Sequence, residues 1–204
     1  MILIVLFFTF SFSFESRDVL NAINGELNWN LYEEYENKKF VYQSNEILDG
    51  VIVTKIEQKV NYKAKDIIDI ILNINQYNTI ISNKNIASSL DSSINDTIYA
   101  YQKITNMIPF VRDRQYVFKM YKVNENKINW YILDEKKSIV EKYVDESINT
   151  LIYGAGSWEV LNENILVNKI YVNDEVNMPY KFINRIRIKS VVNIFDDILK
   201  ILEN

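Results

Sequence analysis

Alternation is the clearest signal in the second half of the chain. In Arg114–Val123, Tyr116, Phe118 and Met120 fall on one side of an extended strand, and Val117, Lys119 and Tyr121 on the other. The first side is wholly apolar or aromatic, so it is expected to face the interior. From about Ile86 to Val172 the same β-branched and aromatic richness recurs in DTIYAYQKI, RQYVFKMYKV, INWYILDE, INTLIYGAGSWEVL and ILVNKIYVN, which predicts a run of strands. Polar breaks such as Asn124-Glu125-Asn126 separate them as hairpin turns do. Earlier, KKFVYQSNEILDGVIVTKIEQKV predicts two strands about Asp49-Gly50, two residues that tolerate the positive φ of a tight hairpin.

Other stretches have helical spacing. Leu20, Ile23, Leu27 and Leu31 predict a helix over Arg17–Tyr35, interrupted at Gly25. AKDIIDIILNINQY predicts a second, with Ile67, Ile68, Ile71 and Ile74 on one side and Asp66, Asp69 and Asn73 on the other. A long helix follows from about Pro179, a residue suited to a first turn. Tyr180, Ile183, Ile188, Val191, Ile194, Phe195, Ile198, Leu199, Ile201 and Leu202 form its apolar stripe. Arg185, Lys189, Asn193, Asp196, Lys200 and Glu203 lie opposite. The first turns break the pattern both ways: Phe182 and Ile186 fall on the polar face, while Asn184 and Arg187 fall inside the stripe. The order of elements predicts an α+β fold in which a curved antiparallel sheet wraps around the C-terminal helix.

The N-terminus needs a separate reading. Met1–Phe14, MILIVLFFTFSFSF, is apolar apart from small hydroxyl residues. It is shorter than the ~20 residues of a bilayer-spanning helix. Its length suits the core of a signal peptide, with Ser11 and Ser13 as small residues for cleavage. The expectation is a cleaved signal over 1–14, a single domain over 15–204, and export to a periplasmic or secreted location. The front end carries no Lys or Arg, so an N-terminal membrane anchor and a hydrophobic strand are the alternatives.

Composition narrows the chemistry. Of 204 residues 48% are hydrophobic, enough for a full core. The net charge of −4 supplies no global basic field, so no nucleic-acid partner is expected. The small basic group Arg185, Arg187 and Lys189 reads as a solvated helix turn. There is no histidine and no cysteine. That excludes Ser-His-Asp and Cys-His catalysis, disulfides, and zinc sites built on imidazole or sulfur. With only four glycines, phosphate-cradling loops are absent as well. No metal and no cofactor is expected, and a monomer is.

Four stretches, in order, resemble the START domain, the lipid-binding branch of the helix-grip (Bet v 1-like) superfamily. WNLYEEYENKKFVYQS (Trp29 to Ser44) is similar to the family's opening, a Trp-x-Leu and then the first strand. YKAKDIIDIILNINQY resembles the helix that follows. IPFVRDRQYVF resembles the signature of a proline, then Arg-Asp, then a strand. GSWEVLNENILVNKIYVNDEVNMPYKFIN resembles the last two strands and the entry to the final helix. The match spans nearly all of Trp29 to Asn204. It departs at Tyr77-Asn78, where the family often has a Trp, and at Glu175-Val176-Asn177, where it usually has a glycine pair. Both departures leave the subfamily and its ligand undetermined.

The resemblance implies a deep apolar cavity between the sheet and the final helix, holding one lipid or sterol-like molecule. Met107, Ile108, Pro109, Phe110 and Val111, with the start of the final helix, would form its lid. Arg112 and Asp113 would pin the base of that loop as rim structure. Tyr116, Phe118 and Met120 would line the wall, with Tyr99, Tyr101, Trp130 or Tyr131 on adjoining strands; plain core is the alternative for each. If the helix stripe faces a cavity, Asn184 and Arg187 are placed to meet a ligand's polar head, and Phe182 and Ile186 to touch a membrane transiently. Binding for transfer or sensing, without catalysis, is the leading function. The alternatives are a cyclase-like enzyme of the same superfamily and a membrane-tethered interaction module with a filled interior. The acids Glu33-Glu34 and Asp196-Asp197 are poor catalysts in either case, because adjacent residues point to different sides.

Overall fold

The computed structural model describes residues 15–47, 51–94, 96–105, 112–134, 138–143, 145–173 and 179–203. The expected signal segment Met1–Phe14, the Asp49-Gly50 turn and the lid residues Met107, Ile108, Pro109, Phe110 and Val111 lie outside the described residues.

The strand-rich stretches are strands of one sheet: β1 (Asn30–Tyr35), β2 (Lys39–Ser44), β3 (Val53–Lys59), β4 (Ile86–Ile94), β5 (Thr97–Ile104), β6 (Arg114–Asn124), β7 (Lys127–Ile132), β8 (Asn149–Thr150), β9 (Gly154–Leu161) and β10 (Ile165–Val172). Their spatial order is β1-β2-β3-β10-β9-β7-β6-β5-β4, antiparallel throughout, with the short β8 parallel to β6. The β3–β10 pairing joins the first three strands to the later ones and so brings distant sequence together. The helices are α1 (Ser16–Asn24), α2 (Ala64–Leu72), α3 (Tyr77–Ile80), α4 (Ser138–Glu141) and α5 (Tyr180–Leu202).

Both faces of the sheet are covered. On the inner face α5 places Ile188, Val192, Phe195 and Ile198 among Val41, Ile56, Phe118, Trp130 and Trp158. Ile67, Ile68, Ile71 and Ile74, the apolar side of α2 and the turn after it, join the same core, as their spacing predicts. Phe195 stacks on Trp158 with ring centres 5.6 Å apart. On the outer face α1 buries Val19, Leu20 and Ile23 against Val53, Val117, Tyr131, Leu133 and Ala155. Lys169 fastens α1 there, donating to the Ile23 carbonyl at 3.1 Å.

The helix expected over Arg17–Tyr35 stops at Asn24, and Trp29–Tyr35 runs instead into a strand. The Gly25 N–H closes the last turn on the Asn21 and Ala22 carbonyls. The Asn28 N–H and side-chain amide then turn to the Glu46 carboxylate at 2.8 and 2.5 Å, an alternative to helical hydrogen bonds. Leu31, assigned to the buried stripe, is exposed on edge strand β1.

The stripe of α5 is real but wider than the sequence suggests. Ile183, Ile188, Phe195, Ile198 and Leu199 are buried as expected, and so are Val192, Asn184 and Asp197. The helix is flanked by α2 and α3 as well as by the sheet, so it buries more than one side. Asp196, expected on the solvated face, instead pairs with the buried Lys39 of β2. Asp197 accepts the Ser82 N–H at 2.7 Å.

Candidate functional site

Directly paired residues of antiparallel strands share a face, so the register of the sheet decides which side chains meet α5. One inner row runs Met120, Trp130, Gly156, Ile170, Thr54 and Gln43 across β6, β7, β9, β10, β3 and β2. Gly156 sits where the Trp130 indole crosses the sheet. A Cβ there would lie 2.5 Å from the Lys169 carbonyl oxygen and 2.7 Å from Trp130 Nε1. On β5 the inner residues are Ile98, Ala100 and Gln102, paired with Met120, Phe118 and Tyr116.

Between this face and α5 the packing is incomplete. A cavity of about 330 Å³ lies beside the first half of α5, lined by Ile183, Ile186, Arg187, Val191 and Ile194, by sheet residues including Thr54, Ile86, Ile104 and Arg114, and by Leu151 just after β8. A smaller chamber of about 90 Å³ lies further along the helix, between Val191, Ile194 and Ile198, the Tyr77–Ile81 segment, and a wall of Phe118, Met120, Trp130, Trp158 and Asn168. Gln102, Tyr116, Ile170, Val191 and Ile194 line both. Val191 and Ile194 belong to the helix's apolar stripe, yet they are only half-buried because they face this space.

The polar atoms of the walls are mostly engaged. Tyr116 donates its hydroxyl to Gln102 Oε1, and Gln102 Nε2 donates to Ser88 Oγ at 2.8 Å. Tyr77 donates to the Ile71 carbonyl. Burial pushes both tyrosine hydroxyls above their ordinary pKa. Arg114 and Arg187 line the larger chamber. Among the described residues no carboxylate lines either chamber, and no cluster of acids could hold a metal ion.

The structure gathers Tyr116, Phe118, Met120 and Trp130 on one wall and puts Arg187 on the larger chamber. Asn184 is buried, but it faces Gln43 rather than either chamber. Tyr99, Tyr101 and Tyr131 are corrected: they lie on the outer face, beside the α1 cluster. The register explains it, since Tyr99 and Tyr131 both pair with Lys119, and Tyr101 pairs with Val117. Tyr101 stacks on Tyr143 at 5.2 Å, and Tyr131 accepts a hydrogen bond from Arg17 Nε at 3.2 Å. Arg112 is exposed and Asp113 half-buried. The Asp113 carbonyl accepts the Asn149 N–H at 3.1 Å, and its carboxylate lies 4.0 Å from Lys103 Nζ. The sequence reading missed Gln102, Trp158, Asn168 and Ile170. Gln102 follows only from the β5–β6 register, which pairs it with Tyr116.

Neither a protein-family model nor a curated protein matches the sequence. Solved structures match it in fold. The STAR-related lipid transfer protein fragment from Xanthomonas axonopodis aligns with a TM-score of 0.69 at 14% identity, over 86% of this chain and 99% of that one. Human STARD10 aligns at 0.67 and 13% identity, over 92% of this chain and 80% of that one. The Zhui aromatase/cyclase from a Streptomyces species aligns at 0.51 and 9% identity, over 74% and 94%. At these identities the likeness is one of fold: the chain has the START-like helix-grip fold, α+β, with its long terminal helix against a large antiparallel sheet.

Proposed function

We propose that this chain binds one lipid or other hydrophobic small molecule beneath α5 and carries or senses it without catalysis. The observation behind this reading is the cavity of about 330 Å³, bounded largely by apolar side chains and sharing five wall residues with a second chamber. Its volume falls within the range of small-molecule sites. Enclosing apolar surface at ~25 cal/mol per Å² is enough to hold a guest without any bond chemistry. Thr105 and Arg114, on the larger chamber, bracket residues 106–111 in sequence, and Ile183 and Ile186 follow 174–178.

The exposed Phe182 and Ile186 are proposed to touch a membrane transiently during exchange. Among the described residues no helix is long and apolar enough to cross one. Residues 1–14 are proposed as a cleaved export signal, tested by the intact mass of the protein from its own source; a mass that retains them contradicts cleavage.

A cyclase-type enzyme is the second reading, favoured by the fold shared with the Zhui aromatase/cyclase. It needs a group that trades protons at the substrate. Tyr116 is a poor one, because burial raises its pKa and its proton is directed to Gln102.

Tryptophan fluorescence tests the binding reading. Trp130 and Trp158 line the smaller chamber, whereas Trp29 lies on the outer face with Lys55 Nζ 4.9 Å from its ring centre. A bromine-bearing alkyl chain is expected to quench saturably, leaving the Trp29 emission. Absence of saturable quenching would overturn the reading.

A further inference from the structure

The first turns of α5 carry a second stripe, on the side turned to solvent. Lys181, Phe182, Arg185, Ile186 and Lys189 are all exposed, at the spacing i, i+1, i+4, i+5 and i+8. On a helix that spacing makes one face, about 140° wide and ~12 Å long. The three cations run along one side of it. Phe182, 50% exposed, and Ile186, 37% exposed, run along the other.

The charge of this face is not balanced nearby. Among the described residues none of Lys181, Arg185 and Lys189 has a hydrogen-bond or ion-pair partner. The sequence holds no acid between Val176 and Phe195. Asp196 and Asp197, the first acids of α5, are engaged with Lys39 and with the Ser82 N–H. Arg187, close to these cations in sequence, lines the larger chamber instead. A chain of net charge −4 thus gathers three positive charges beside two exposed apolar side chains.

Two half-exposed apolar side chains insert too little area to hold a protein on a membrane by themselves. Cations on the same face add attraction only where the surface is anionic. There the apolar pair enters the boundary between headgroups and acyl chains, while the lysine and arginine heads stay among the headgroups. Ile186 belongs both to this face and to the wall of the larger chamber, so a membrane held here adjoins the space of the guest. A nucleic acid would answer the charges but leave Phe182 and Ile186 in water.

Resting on the membrane contact proposed above, we propose that this face of α5 docks on an anionic lipid surface: Lys181, Arg185 and Lys189 select negatively charged headgroups, and Phe182 and Ile186 enter the bilayer beside the chamber.

The chain has no cysteine, so Phe182→Cys labelled with the apolar fluorophore NBD reports this face alone. The labelled protein is titrated with vesicles of phosphatidylcholine, and with vesicles of phosphatidylcholine mixed with phosphatidylglycerol. NBD emission is expected to rise at about hundredfold lower lipid with the anionic vesicles, since each cation near an anionic surface contributes about fivefold. Molar salt is expected to remove most of the difference. Replacing the three cations together, by Lys181→Gln, Arg185→Gln and Lys189→Gln, is expected to bring the two vesicles within about twofold of each other. None of the three lines either chamber, so the triple variant is expected to keep its tryptophan quenching by a bromine-bearing alkyl chain. An equal response to the two vesicles before replacement overturns the docking face, and so does a preference that survives the triple replacement or molar salt. A chain that prefers anionic vesicles but is never quenched by the alkyl chain keeps the docking face and contradicts the binding reading. One that is quenched but ignores headgroup charge does the reverse.

Discussion

Gln43 and Asn184 exchange two side-chain hydrogen bonds, Gln43 Nε2 to Asn184 Oδ1 at 2.8 Å and Asn184 Nδ2 to Gln43 Oε1 at 3.2 Å. They tie the start of α5 to β2, beside the larger chamber. Asn184→Ala leaves both ends of the Gln43 amide without their partner. A loss of about 1–3 kcal/mol is expected in urea unfolding. The double replacement Gln43→Leu with Asn184→Leu is expected to cost less than the single one, because no polar group is then stranded.

Lys39 and Asp196 form a second tie between β2 and α5, and it is asymmetric. The lysine side chain is 2% exposed and the aspartate 35%. The ammonium also lies 5.7 Å from the centre of the Phe195 ring and 5.6 Å from that of Tyr35. Asp196→Ala strands a buried cation and is expected to cost about 3–5 kcal/mol. Lys39→Met leaves a carboxylate that water reaches, and is expected to cost clearly less. Equal losses in thermal or urea unfolding would contradict the asymmetry.

Gly156 is needed for close approach rather than for an unusual backbone angle. Gly156→Ala would set a methyl against the Lys169 carbonyl and the Trp130 indole. The expected result is destabilisation by about 1–3 kcal/mol with a changed near-ultraviolet tryptophan signal.

Alkaline pH is expected to unfold the protein through its tyrosines. Burial, and then a hydrogen bond to Glu33, push the Tyr35 hydroxyl up to about 12. Burial also raises Tyr77 and Tyr116. In the unfolded chain tyrosine ionises near pH 10. Above that pH the folded state therefore binds more protons than the unfolded state, and stability falls as pH rises. The contribution is complete below about pH 10 and lost through about 12. Urea midpoints are expected to decline across that window, and Tyr35→Phe to make the decline shallower. Midpoints that stay level to pH 12 would contradict it.

Much of this architecture was legible in the spacing of apolar residues, because period decides element type. The alternation of Tyr116, Phe118 and Met120 and the stripe of α5 both describe real buried faces. What the pattern lacked was register. Since α1 covers the outer face, Val117 and Tyr131 are about as buried as Phe118. Polarity alone therefore could not say which side faces the cavity, and Tyr99, Tyr101 and Tyr131 were placed on the wrong one. Edge strand β1 was hidden for the opposite reason. Nearly all of it is exposed, so its leucine spacing continued a helical pattern by coincidence. Lys39–Asp196 and Gln43–Asn184 join residues more than 140 positions apart, and only the folded chain reveals such partners.

Native mass spectrometry after incubation with mixed-lipid vesicles tests the central claim most directly, comparing the wild type with Val191→Trp. Val191 lines both chambers, and a tryptophan there fills space a guest would need. The expected result is one apolar guest per wild-type chain and little or none in a folded Val191→Trp protein. A wild type that stays at its bare mass, or a filled variant that takes up the same guest equally well, would contradict it.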